Sequence, residues 1–147
     1  MAECGECRLC CKLLGVPELE KPPGAWCTHC DVRGAKGCTI YEQRPGNCVE
    51  FECGWLASGG GYPEYRPDRL HMIVTGESEK IDAHVIHVDP HYPGAPDSVR
   101  GKKLLKAITS GPRKNVVLVI GDKRRYLGDG KKIAAALERV GNSLEKL

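Results

Sequence analysis

A chain of 147 residues can form one ordinary domain, or a small core-forming domain beside a segment held by staples. Aromatics are only 5% of it, with Phe51 the single Phe, and no stretch reaches the ~18 apolar residues of a membrane span, which sets membrane-spanning classes aside. The formal charge of +3 is uneven: residues 1–60 hold 6 Lys/Arg against 8 Asp/Glu (−2) and residues 61–147 hold 16 against 11 (+5), so the two parts should attract each other.

In chain order, Cys10 to Leu14 predicts a short helical turn, and Val16-Pro17 through Pro22-Pro23-Gly24 a turn-rich loop. Few aliphatic residues and little periodicity occur before residue 58, so this third of the chain needs staples to fold. Ser58-Gly59-Gly60-Gly61 with Tyr62-Pro63 marks its exit, dividing the chain into a cysteine-rich segment, 1–58, and a second domain, 59–147.

In that second domain, Leu70 to Thr75 and Ile81 to Asp89 read as antiparallel strands joined through Gly76–Glu79. A helix capped by Asp97 or Ser98 runs to about Thr109, with Val99, Leu104, Leu105 and Ile108 toward a core, and Gly111-Pro112 stops it. Asn115 to Ile120 reads as a central strand with Lys123–Leu127 as its hairpin partner. From Asp129-Gly130, Ile133, Leu137, Val140, Leu144 and Leu147 make one face of a terminal helix. The order β-β-α-β-β-α predicts an α+β fold: helices on one face of a mostly antiparallel sheet, with the cysteine-rich segment of irregular loops packed against it.

All nine cysteines, Cys4, Cys7, Cys10, Cys11, Cys27, Cys30, Cys38, Cys48 and Cys53, lie in the first third. Thiolates two residues apart can turn inward on a tight knuckle and share a tetrahedral ion, which is why paired short spacings point to zinc or iron–sulfur. Met1-Ala2-Glu3-Cys4 leaves no room for a charged leader and an apolar run, so a cytoplasmic chain with reduced thiols is expected, and an odd count cannot close fully into disulfides. Two four-thiolate zinc sites would use eight cysteines and leave one; three zinc ions would use all nine if three bridge. Because neighbouring side chains diverge, Cys10 and Cys11 are expected on different ions. Cys4-x-x-Cys7-x-x-Cys10 also opens like a ferredoxin run, but Cys11-Lys12 follows where that run has three residues, a cysteine and proline.

His29, inside the Cys27–Cys30 knuckle, is read as a bystander to the thiolates. His84 and His87 on one strand point to opposite faces, so they should share no metal. Residues 100–125 carry nine basic side chains against Asp122, a weak nucleic-acid footprint with Tyr126 its only aromatic, at the edge. Neither a phosphate-binding loop nor a Ser/His/Asp set stands out.

Cys4-x-x-Cys7-x-x-Cys10-Cys11, followed by Gly37-Cys38-Thr39-Ile40-Tyr41-Glu42-Gln43-Arg44-Pro45-x-x-Cys48-x-x-Phe51-x-Cys53, resembles the YkgJ-type CxxCxxCC family, described as a zinc- or iron-chelating domain. The resemblance covers roughly residues 4–55 and implies metal chelation by those cysteines; it brings no catalytic residue, although some members are labelled iron–sulfur oxidoreductases. The expectation is a cytoplasmic, non-enzymatic protein with two or three Zn2+ in a closed structural thiolate cluster. The alternatives are an iron–sulfur electron carrier or oxidoreductase, and a nucleic-acid binder using residues 100–125; a protein partner stays open.

Overall fold

In a computed structural model, which describes residues 4–34 and 37–139, β-branched apolar runs become strands and the turn-rich first third becomes short helical pieces. That third contains α1 (Leu9–Leu13), a 3-10 turn at Pro17–Leu19, two-residue strands β1 (Cys30–Asp31) and β2 (Gly37–Cys38), a second 3-10 turn at Tyr41–Gln43, then α2 (Gly46–Glu50) and α3 (Gly54–Ala57). After a 3-10 turn at Pro63–Tyr65 come α4 (Pro67–Leu70), β3 (Met72–Ser78), β4 (Ala83–Val88), α5 (Val99–Ile108), β5 (Asn115–Ile120), β6 (Lys123–Leu127) and α6 (Gly130–Arg139). The fold is α+β. Val140, Leu144 and Leu147 of the expected terminal helix lie outside the described residues.

The sheet order is β3-β4-β5-β6, and it is mixed: β3/β4 and β5/β6 are antiparallel, but β4 and β5 run parallel, with Ala83 opposite Asn115 and Val88 opposite Ile120. A parallel pair needs a crossover, and α5 supplies it. This corrects the expectation of helices on one face. Leu104, Leu105 and Ile108 of α5 pack with Met72, Ile86, Val88, Val116 and Leu118, while Ile133, Ala136 and Leu137 of α6 pack with Ala83, Val85, Val117 and Val119. Successive strand residues face opposite ways, so two helices cover opposite faces and the central strands β4 and β5 are buried on both. Val99, expected toward the core, is exposed because α5 turns its 104/105/108 side inward.

Two close approaches need glycine. Gly54 begins α3 where an added Cβ would come within 2.8 Å of the Val74 Cβ, so α3 lies flush on β3. At Gly101 a Cβ would overlap the Ala95 carbonyl oxygen and press on Pro96, beside the cap in which the Ser98 hydroxyl accepts the Gly101 N–H at 3.0 Å. Gly101→Ala is therefore expected to destabilise the protein by about 1–3 kcal/mol despite alanine's better helix propensity, since the obstacle is backbone. Denaturant unfolding measures it; unchanged or raised stability would show that the crossover yields freely.

The cysteine-bearing segment has an apolar anchor that composition did not suggest. Leu9, Leu13 and Cys53 are buried against Ile73 of β3, with Leu14, Phe51, Trp55 and Leu56 packed around them. Leu9 and Leu13 share one side of α1 at a spacing of four, which suffices to seat a five-residue helix that could not persist alone.

Candidate metal centre

Short backbone hydrogen bonds gather the cysteines. Cys7 N–H donates to the Cys4 carbonyl at 2.9 Å, Cys27 N–H to Cys11 at 2.9 Å and Cys30 N–H to Cys27 at 3.1 Å, which ties the 27–30 knuckle to α1. The β1/β2 ladder sets Cys30 opposite Cys38. Cys48 rides on α2, whose first amides are held from across the segment: the Glu18 carboxylate accepts from Gly46 N–H at 3.0 Å and Asn47 N–H at 2.9 Å. That is an N-terminal cap supplied by a distant residue.

The side chains converge on Cys11. Its thiol interacts electrostatically with those of Cys10, Cys30, Cys4 and Cys48. Cys48 in turn feels Cys27 and Cys38, and Cys4 feels Cys53. Cys7 stands to one side, against the amide and carboxylate of Asp68 at the start of α4. All nine are free thiols, and none but Cys53 is fully buried.

Crowding makes these thiols hard to ionise singly. Burial pushes Cys7 up to about 11; burial and then Cys11 push Cys30 up to about 11. Cys11 is raised much further, first by the neighbouring Cys10 side chain and then by burial. Burial also raises Cys4 and Cys48, with Cys53 and Cys11 respectively the next contributors. Such a set becomes thiolate readily only when a cation supplies the compensating charge.

Three basic side chains surround the thiols, and sequence reasoning missed their role. Arg8 acts on Cys30, Arg44 on Cys4 and Cys48, and Lys21 on Cys27, Cys11, Cys10 and Cys48. Arg8 Nε is a buried donor without a hydrogen-bond partner among the described residues. Orphaned donors of this kind are uncommon. Among the described residues the thiols approach in pairs and do not close a set of three His, Cys, Asp or Glu donors. Soft sulfur is nonetheless the donor type that thiophilic ions take.

The remaining candidates fall elsewhere. His29 lends its backbone carbonyl to Thr39 N–H and hydroxyl, both at 2.8 Å. His87 is opposite Ile73, its imidazole lowered to about 4 by burial and by Arg124, whereas His84 is opposite Val116 with Nε2 3.2 Å from the Arg113 carbonyl. The two histidines occupy opposite faces. The basic residues of 100–125 are dispersed: Arg125 pairs with Asp97 at 2.7 Å, Arg113 with Asp82 at 3.2 Å, and Lys114 and Arg124 donate to backbone carbonyls. Lys123 to Tyr126 form the exposed outer part of edge strand β6, where charge discourages strand-to-strand association.

The docking contact is ionic as well as apolar. Lys12 Nζ reaches Asp89 Oδ2 at 2.7 Å, and His91 donates its N–H to Asp89 Oδ1 at 3.0 Å. Its polarity is opposite to that expected from net charge: the acidic segment contributes the cation and the basic domain the anion.

No helix among the described residues is long and apolar enough to cross a membrane. No family model, curated protein or solved structure matches the chain.

Proposed function

We propose that the chain is a metal-thiolate protein of the kind the YkgJ-type resemblance implies, with its nine cysteines as the donor set and two or three zinc ions in one structural cluster centred on Cys11. The supporting observation is the gathering of nine free thiols in one segment, where Cys11 interacts electrostatically with Cys10, Cys30, Cys4 and Cys48. Thiolates on one tetrahedral zinc stand about 3.8 Å apart for Zn–S near 2.3 Å, so loading draws the gathered thiols together. The cluster supplies cross-links between loops that share little apolar surface, in a reducing cytoplasm that keeps the thiols free.

Anaerobic purification followed by elemental analysis, native mass spectrometry and alkylation tests this. The expected protein is colourless with two or three zinc ions. With two ions, one thiol alkylates in the loaded protein, and its place beside Asp68 makes Cys7 that thiol; with three, none does. Cys11→Ser should lose more metal than Cys7→Ser. Visible absorption with iron and sulfide would transfer the same donors to the iron–sulfur alternative, and a metal-free, freely alkylated protein would overturn the proposal.

A further inference from the structure

Each end of the four-stranded sheet presents a row of backbone groups, and the chain treats the two ends differently. β3 is irregular: its register shifts between Val74 and Gly76, α3 lies flush on it at Gly54, and Met72, Ile73 and Ser78 are buried. A bulge of this kind spoils an edge for further pairing. β6 is regular and pairs with β5 residue for residue from Lys123 to Leu127. Among the described residues no further strand joins it, and Lys123 to Tyr126 are exposed.

The hairpin decides which backbone groups stay open. Ile120 and Lys123 are partners in register across the two-residue turn Gly121-Asp122, so they form the hydrogen-bonded pair that closes it. Bonded and non-bonded pairs alternate along an antiparallel ladder. Lys123, Arg125 and Leu127 therefore turn their N–H and C=O toward β5, and Arg124 and Tyr126 turn theirs outward. Three consecutive cations accompany those outward groups. Arg125 is held by the Asp97 carboxylate at 2.7 and 2.9 Å, whereas Lys123 and Arg124 have no carboxylate partner among the described residues, and the Arg124 guanidinium donates to the Gly121 and Lys123 carbonyls. Like charge repels a second copy of this edge; it attracts a strand that carries carboxylates.

We propose that β6 is a docking edge for an extended acidic segment of another protein, which adds beside Lys123–Leu127 as a new outer strand. The outward N–H and C=O of Arg124 and Tyr126 supply the ladder, and Lys123 and Arg124 select the charge. In strand addition main-chain bonds give affinity and side chains give specificity. The site uses none of the cysteines, so it stands or falls apart from the metal-thiolate reading.

The test titrates the full chain into a fluorescein-labelled peptide of alternating Glu and Val at physiological salt. Polarisation reads binding, and amide hydrogen exchange reads its geometry. The peptide should bind and should slow exchange at Arg124 and Tyr126, leaving Lys123, Arg125 and Leu127 unchanged because their amides are already bonded to β5. Lys123→Glu combined with Arg124→Glu is expected to weaken binding by at least about tenfold, since it sets like charges opposite one another. Tyr126→Pro removes an outward N–H and no bond to β5, so it should weaken binding while thermal unfolding stays close to wild type. Should Tyr126→Pro unfold the hairpin, the same peptide N-methylated at every residue makes the comparison on the wild-type chain, because it keeps the charges and offers no N–H to the ladder. Equal binding of the N-methylated peptide, or binding without protection at Arg124 and Tyr126, would reduce β6 to a charged surface and overturn strand addition. So would the absence of binding at about millimolar peptide. A single-stranded oligonucleotide that outcompetes the peptide and is itself released by the charge reversals would give the basic strand to nucleic acid instead.

Discussion

Stripping the metal-loaded protein with a strong chelator is expected to abolish the order of residues between Trp26 and Glu50 while the four-stranded sheet stays protected from hydrogen exchange. Of residues 15–50, Val16 is the only buried hydrophobic among those described, and Trp26, Val32, Tyr41 and Val49 are exposed. The only strands there among the described residues, β1 and β2, have two residues each. Little burial therefore opposes the conformational entropy of about 1–2 kcal/mol per ordered residue. Structural zinc binding contributes about 10–16 kcal/mol, as large as the whole stability of an ordinary domain, so its loss should decide the fate of these loops. The two ends should behave differently: Leu9 and Leu13 of α1, and Phe51, Trp55 and Leu56 near α3, remain seated on Ile73. Amide spectra before and after verified metal removal make the measurement. Dispersed signals for Cys27, Cys30, Cys38 and Cys48 in the stripped protein would show that these loops fold on their own contacts.

Where structure follows local pattern, it was legible. The run Asn115–Ile120 and the segment Lys123–Leu127 coincide with β5 and β6, because the buried apolar run marks the first and the Gly121-Asp122 turn places the second as its hairpin partner. The parallel union of β4 with β5 was not legible, since strand direction is set by how the α5 crossover closes and leaves no local trace. Helices on both faces follow from that one pairing. In the first third, spacing singled out the cysteines, but not the central place of Cys11 or the side position of Cys7, which depend on backbone hydrogen bonds from Cys27 and on the approach of Asp68. Lys21 gave no periodic signal because it is buried in an irregular loop, where its ammonium meets the Leu14 and Pro22 carbonyls. The Leu9/Leu13 spacing was a usable sign of the docking face, hidden by reading the segment for its cysteines alone.

Asp89→Ala is expected to loosen the cysteine segment from the sheet and lower global stability by about 3 kcal/mol, the low end for breaking a buried pair, because Lys12 keeps some contact with solvent. The Asp89 side chain is 4% exposed and that of Lys12 16%, so Asp89 is the member that most needs its partner. Burial alone would raise the Asp89 pKa; the Lys12 ammonium and the amide and ring of His91 reverse this and hold it below the usual carboxylate value. A depressed carboxylate contributes stability that is complete above its unfolded pKa, near 3.9, and fades as pH falls through the lower folded value. Wild type should therefore lose this contribution below about pH 4, while Asp89→Asn shows no such fading. Acid also protonates the thiols, but in both proteins alike, so the difference between their stability curves isolates Asp89. A double-mutant cycle with Lys12→Ala and Asp89→Ala completes the measurement: a coupling near zero would mean that Leu9, Leu13 and Ile73 hold the segment without the ion pair, and a coupling above about 1 kcal/mol would establish Lys12, one residue beyond Cys11, as the polar link between the cluster and the sheet.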